Sequence, residues 1–158
     1  MKLFEFPVYH GIKIILPLNT KLTYVIGDSG TGKTYLYSAL HALKLGGALD
    51  GVALLDATTL VHYCTASDTL LSAFLTELTT ENALLVMDRL EFLPKDMTDR
   101  IFSWLHRIEP SCYILVMDRL GFHMTARNES KMEVCRKQVG HEVILTLKQA
   151  RGICSWGG

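Results

Sequence analysis

The sequence predicts an α/β fold: a three-layer sandwich built on a mainly parallel five-stranded sheet, with a short antiparallel strand pair at the N-terminal end. Three observations lead there. Largely apolar stretches recur at Leu22–Ile26, Val52–Leu55, Ala83–Met87, Cys112–Met117 and Glu142–Leu147. Segments of helical spacing separate them, and strands apolar on both faces belong to a parallel sheet covered by helices. An octapeptide, Gly27-Asp28-Ser29-Gly30-Thr31-Gly32-Lys33-Thr34, joins the first such strand to the first such helix.

The elements follow in order. Leu3, Phe4, Phe6 and Val8, then Ile12 to Leu16, read as two short strands turning at Gly11 and closed by Pro17 and Asn19. This pair would flank a nucleotide base or simply cover a sheet edge. The first core strand runs into the octapeptide, and a helix from Lys33 to Leu45 ends at Gly46-Gly47. The second strand ends at Asp56. Ser67 or Asp68 would cap a helix carrying Leu70, Leu71, Phe74, Leu75 and Leu78. The third strand ends at Asp88; Asp96 would cap a helix through Met97, Ile101, Trp104, Leu105 and Ile108, stopped by Pro110. The fourth strand ends at Asp118, residues 128–138 read as a helix, and the fifth strand follows. The chain divides into a strand pair (1–19), a core (20–148) and a tail (149–158) of one domain, the size expected for a single hydrophobic core.

The octapeptide fits the phosphate-loop pattern of Gly, four free positions, Gly-Lys and then Ser or Thr, and its strand and helix flanks are the context that the pattern requires. Gly27, Gly30 and Gly32 permit backbone angles that other residues resist. The N–H groups from Gly27 through Asp28, Ser29, Gly30, Thr31 and Gly32 to Lys33 and Thr34 would then turn inward around a phosphate, with Tyr35 closing the nucleotide-binding run. Lys33 would reach the β- and γ-phosphates, and Thr34 would place its hydroxyl on Mg²⁺. A metal-bound nucleotide also needs a carboxylate at the end of an apolar strand. Asp88, after Ala-Leu-Leu-Val-Met, is the first choice and Asp118 the second. The two sit in an internal echo, Leu85 to Leu90 against Leu115 to Leu120.

Composition narrows the remaining classes. Lys plus Arg number 16 and Asp plus Glu number 16, so bulk charge offers nucleic acid or an acidic membrane no attraction; nucleic acid is disfavoured but left open. The four cysteines, Cys64, Cys112, Cys135 and Cys154, form no C-x-x-C pair, which argues for free thiols in a reducing cytoplasm rather than a zinc site. Met-Lys-Leu-Phe-Glu-Phe-Pro carries a Glu and a Pro where a signal peptide would be apolar, and no run is long enough to span a bilayer. The expectation is a cytoplasmic protein. The histidines lack metal-ligand spacing, and no G-x-S-x-G elbow is present.

The element order, with Gly27 to Thr34 and Asp88, resembles the additional-strand branch of P-loop NTPases, which includes AAA+, RecA-like and ABC ATPases; small ATP-binding P-loop proteins look similar too. The resemblance implies that Asp88 takes the Mg²⁺ position and Asp118 the polar sensor position on a fourth strand beside the phosphate-loop strand. The leading strand pair looks like the antiparallel flap of the ABC type. There are departures. The catalytic Glu of those families follows the metal Asp, where this chain has Arg89, which cannot accept a proton. Glu91 stands two residues further on and would substitute only through an unusual turn. Sensor positions usually hold Asn, Ser or Thr rather than Asp. No L-S-G-G-Q signature, no helical lid domain and no N-K-x-D guanine motif is present, so GTP is disfavoured.

The expected function is a Mg-dependent ATP-binding protein, a slow ATPase or ATP-driven switch acting on a partner protein, with a homo-oligomer as the other possible partner. Lys33, Asp88, Asp118 and Arg119 would carry catalysis, with Arg107, Arg127 and Arg136 as further cations for transferred-phosphate charge. A nucleotide or nucleoside kinase is the first alternative, since Asp88-Arg89-Leu90 looks like the D-R-[YF] stretch of thymidylate kinases. A non-hydrolysing nucleotide-binding adaptor is the other, on account of Arg89.

Overall fold

A computed structural model describes residues 1–26, 32–107, 112–117 and 129–149. Eight strands, β1 (Lys2–Glu5), β2 (Ile12–Leu18), β3 (Leu22–Val25), β4 (Val52–Asp56), β5 (Leu84–Asp88), β6 (Tyr113–Met117), β7 (Glu129–Val139) and β8 (Glu142–Gln149), form one sheet in the order β1-β2-β8-β7-β3-β6-β5-β4. The helices are α1 (Lys33–Leu45), α2 (Asp68–Glu81) and α3 (Lys95–Arg107), with two 3₁₀ segments at Ala57–Tyr63 and Leu90–Phe92.

This overturns the predicted architecture. In place of a mainly parallel five-stranded sheet with a separate strand pair, the described residues form a single mixed sheet of eight strands that curls as a half-barrel. Its β1/β2 and β7/β8 pairs are antiparallel, whereas β2/β8 and β7/β3 are parallel. The largest correction concerns residues 128–138. Their charged side chains favour a helix by propensity, but they form β7, whose Met132 is buried while Arg136, Lys137 and Gln138 face solvent. Val139 pairs with Glu142 around Gly140-His141, a two-residue hairpin turn, so tertiary pairing prevails over propensity. The predicted fifth strand is β8, which returns antiparallel to β7 and pairs parallel with β2.

The N-terminal strands likewise belong to the main sheet. Tyr9 and Ile12 exchange backbone hydrogen bonds of 2.9 and 3.0 Å around His10 (φ 50°) and Gly11 (φ 75°), left-handed angles that suit the right-handed twist of a tight hairpin. Pro17 does not close β2, as the sequence predicts; it lies within the strand, opposite Leu3. The ladder with β8 covers Ile12 to Ile14, so the missing N–H of Pro17 falls beyond it.

Strand alternation divides the core between two faces of the sheet. Tyr24, Leu55, Leu85, Met87, Ile114 and Val116 pack with Leu71 and Leu75 of α2 and Ile101, Phe102 and Trp104 of α3. Val25, Val52, Leu84, Val86, Leu115 and Met117 pack on the opposite face with Leu36, Leu40 and Leu43 of α1 and with Ile14, Leu16 and Leu18 of β2. Strands buried on both faces require parallel neighbours with helical crossovers, and β3, β6, β5 and β4 satisfy this. Their carboxyl ends therefore gather at one edge, where ligands of such sheets bind.

Candidate functional site

The start of α1 is fixed from three sides. Ile26 N–H donates to the Met132 carbonyl at 2.9 Å, tying the end of β3 to β7. Gly32 caps the helix at φ 104° and ψ −4°, and its carbonyl accepts from Leu36 N–H at 2.8 Å. A Cβ on Gly32 would lie 3.1 Å from Val134 Cγ1 of β7, so the left-handed angle and the close approach both call for glycine. Leu36, Leu40 and Leu43 turn into the core at helical spacing. That rotation sets Lys33 half-buried and Thr34 exposed at the helix tip, where the positive end of the helix favours an anion.

Across from this tip, β5 delivers Asp88. Leu84 to Met87 are buried, and Asp88 emerges half-buried at the strand end. Lys33, Thr34, Asp88, Arg89, Glu91 and Met117 line one cleft of about 530 Å³. The structure thus brings together Lys33, Thr34 and Asp88, three residues that the sequence predicts to act jointly. Burial pushes the Asp88 carboxyl above its ordinary range, and Glu91 and Asp56 add to the push; the Arg89 N–H, which donates to the carboxylate, and the Arg89 guanidinium oppose it.

The turn after Asp88 is unusual. Arg89 adopts φ 66° and ψ 31°, a left-handed conformation uncommon for a side-chain-bearing residue. Its carbonyl accepts from Phe92 N–H at 3.2 Å, Leu90 is buried as an anchor, and Leu93 N–H reaches the Leu90 carbonyl at 3.1 Å. The tight segment brings Glu91 to the cleft. The Arg89 guanidinium lies 6.0 Å from the centroid of the exposed Phe92 ring. Sequence spacing alone gives no sign of this turn, since Arg, Leu and Glu are not turn residues.

Asp56, the register partner of Asp88, is engaged locally. It accepts from Thr58 N–H at 3.0 Å and Thr58 Oγ1 at 2.7 Å, capping the 3₁₀ segment after β4. Tyr37 of α1 is half-buried and packs against the core. Burial pushes its hydroxyl up to about 12, with the charges of Asp56 and Asp88 adding and Arg89 opposing. The hydroxyl therefore stays protonated beside the carboxylates.

Arg136 stands on the β7 side of α1, its guanidinium 5.4 Å from the Tyr35 ring centroid. Arg107 is remote from the cleft: its Nε donates to the Ser103 carbonyl at 3.3 Å, and it lines a groove along α2. Gly27, Asp28, Ser29, Gly30, Thr31, Asp118, Arg119 and Arg127 lie outside the described residues.

Magnesium prefers hard oxygen donors and binds through one or two carboxylates together with substrate phosphates. The Thr34 hydroxyl and the Asp88 carboxylate supply such donors in one cleft, and a carboxylate raised by burial is one that a cation would stabilise. The residues present therefore fit the group. No helix among the described residues is long and apolar enough to cross a membrane. No protein-family model matches the chain, and no curated protein matches it.

Proposed function

We propose that this chain is a Mg-dependent ATP-binding protein that hydrolyses ATP slowly and uses the bound state to alter its contacts with a partner protein. One observation carries the reading: Lys33, Thr34 and Asp88 line a single cleft between the tip of α1 and the end of β5. The octapeptide from Gly27 to Thr34 supports it, as does β6 lying parallel between β3 and β5, the place that the resembled families give their sensor strand.

Lys33 would neutralise the β- and γ-phosphates, and α1 would direct its N-terminal amides at them. Thr34 and Asp88 would hold Mg²⁺, which when bound neutralises charge developing on the transferred phosphoryl group. Glu91, brought to the cleft by the left-handed Arg89, is the carboxylate available to orient a water. It is exposed, so water reaches it freely.

One feature favours a second reading. Arg89 occupies the position after Asp88, and a cation there suits a protein that holds ATP without cleaving it. Phosphate release from Mg·ATP by the whole chain and by Glu91→Gln separates the two. Slow release by the parent, lost in the variant with ATP affinity kept, supports the ATPase. Tight binding without release supports the adaptor, and transfer to an added nucleoside supports a kinase. Absence of ATP binding overturns all three.

A further inference from the structure

A second cleft shares Thr34 with the first. Gly32, Thr34, Tyr35, Ser38, Val134 and Arg136 line about 640 Å³ between α1 and β7, within the range of about 300–1,000 Å³ usual for small-molecule sites. Thr34 lines both clefts, so the helix tip stands between them. A triphosphate seated over that tip with its terminal phosphate toward Asp88 would have the second cleft, with Tyr35 and Arg136, open to its other end.

The second cleft carries groups that suit that other end. Tyr35 is 39% exposed, which is high for an aromatic ring in the first turn of a helix whose other face is core. Its ring faces the Arg136 guanidinium, which is also exposed. A guanidinium and a phenol ring are flat, polarisable surfaces, and both stack on nucleobases. Ser38, one turn along from Thr34, adds a hydroxyl of the kind that pairs with ribose or base edges. By contrast, the cleft on the Asp88 side carries Lys33, Arg89 and two carboxylates, chemistry suited to phosphate and metal.

We propose that the cleft between α1 and β7 is the nucleobase subsite, and that the base packs against the Tyr35–Arg136 pair. This rests on the phosphate reading above and assigns the direction in which the nucleotide lies. It also gives β7, the strand that the sequence reading took for a helix, a place in binding: it supplies Arg136 from one edge and packs Val134 against Gly32 at the other.

The test compares two probes that share a phosphate chain and differ in the base, Mg·ATP and Mg·tripolyphosphate, by calorimetry on the whole chain. Tyr35→Ala and Arg136→Ala are both surface changes. Each is expected to weaken ATP about tenfold while leaving tripolyphosphate within about twofold of the parent, and Tyr35→Phe is expected to keep ATP affinity. If ATP and tripolyphosphate weaken together, the pair acts on phosphate and the subsite is overturned. If neither weakens, the base lies elsewhere and the subsite is again overturned. A parent that binds tripolyphosphate but gains nothing from the base overturns the subsite and leaves the phosphate site standing. A parent that binds neither probe overturns both.

Discussion

Asp56 and Asp88 stand opposite each other as register partners at the carboxyl ends of β4 and β5, yet their surroundings differ. Asp56 is occupied by two hydrogen bonds from Thr58. Asp88 has the Arg89 N–H and otherwise faces the cleft, with burial and two neighbouring carboxylates working against its charge.

A raised carboxyl has a definite consequence for stability. When the folded state holds an acid above its unfolded value, the contribution is full below the unfolded value and is lost as pH rises through the folded one. For Asp88 the loss begins above about pH 4, the ordinary Asp range. Asp88→Asn is therefore expected to raise the melting temperature of nucleotide-free protein at neutral pH and to flatten its decline as pH rises above the ordinary Asp range. The same variant should lose the Mg²⁺ dependence of ATP binding. Thermal melts across pH and titrations with and without Mg²⁺ check both. If Asp118→Asn alone removes the metal dependence, the roles of the two residues are exchanged.

Gly32→Ala should be costly in two ways. Its φ of 104° disfavours any side chain, and the new methyl would meet Val134 Cγ1 at 3.1 Å. A loss of about 1–3 kcal/mol is expected in denaturant unfolding, together with loss of ATP binding as the tip of α1 shifts. Val134→Ala in the same chain relieves the contact but not the backbone angle, so it should restore only part of the stability.

Arg100 supports the fold away from the site. Its Nη2 donates to the Ala66 carbonyl at 2.9 Å, its Nη1 to the Tyr63 carbonyl at 3.3 Å, and its Nε pairs with Asp68 in the first turn of α2. The Arg100 side chain is 19% exposed and that of Asp68 74%. Arg100→Met leaves two carbonyls with one donor fewer and should cost about 2 kcal/mol. Asp68→Asn, at an exposed partner, should cost about 1 kcal/mol or less. Urea unfolding of both variants measures the difference.

Much of the cleft was legible in the sequence. Lys33 to Leu45 is α1 at both ends, Ser67 is the cap of α2, and the apolar runs before Asp56, Asp88 and residue 118 are strands. These signals are local: a glycine, a cap, a continuous apolar run. The sheet as a whole was not legible, because its edges depend on partners distant in sequence. In β7, Lys131, Glu133, Arg136 and Lys137 are strong helix formers, and only pairing with β8 and β3 makes them a strand. The same limit hid the path to Glu91. A left-handed Arg89 is set by the burial of Leu90 beneath it, a tertiary cause with no residue-type signature.

The central claim is that the helix tip at Lys33 binds a triphosphate. Calorimetric titration of Mg·ATP into the parent and into Lys33→Ala tests it most directly. Saturable heat is expected in the parent and none in the variant at the same concentrations, because the phosphates lose their principal counter-charge. No heat in the parent, or equal affinity in both, would contradict it.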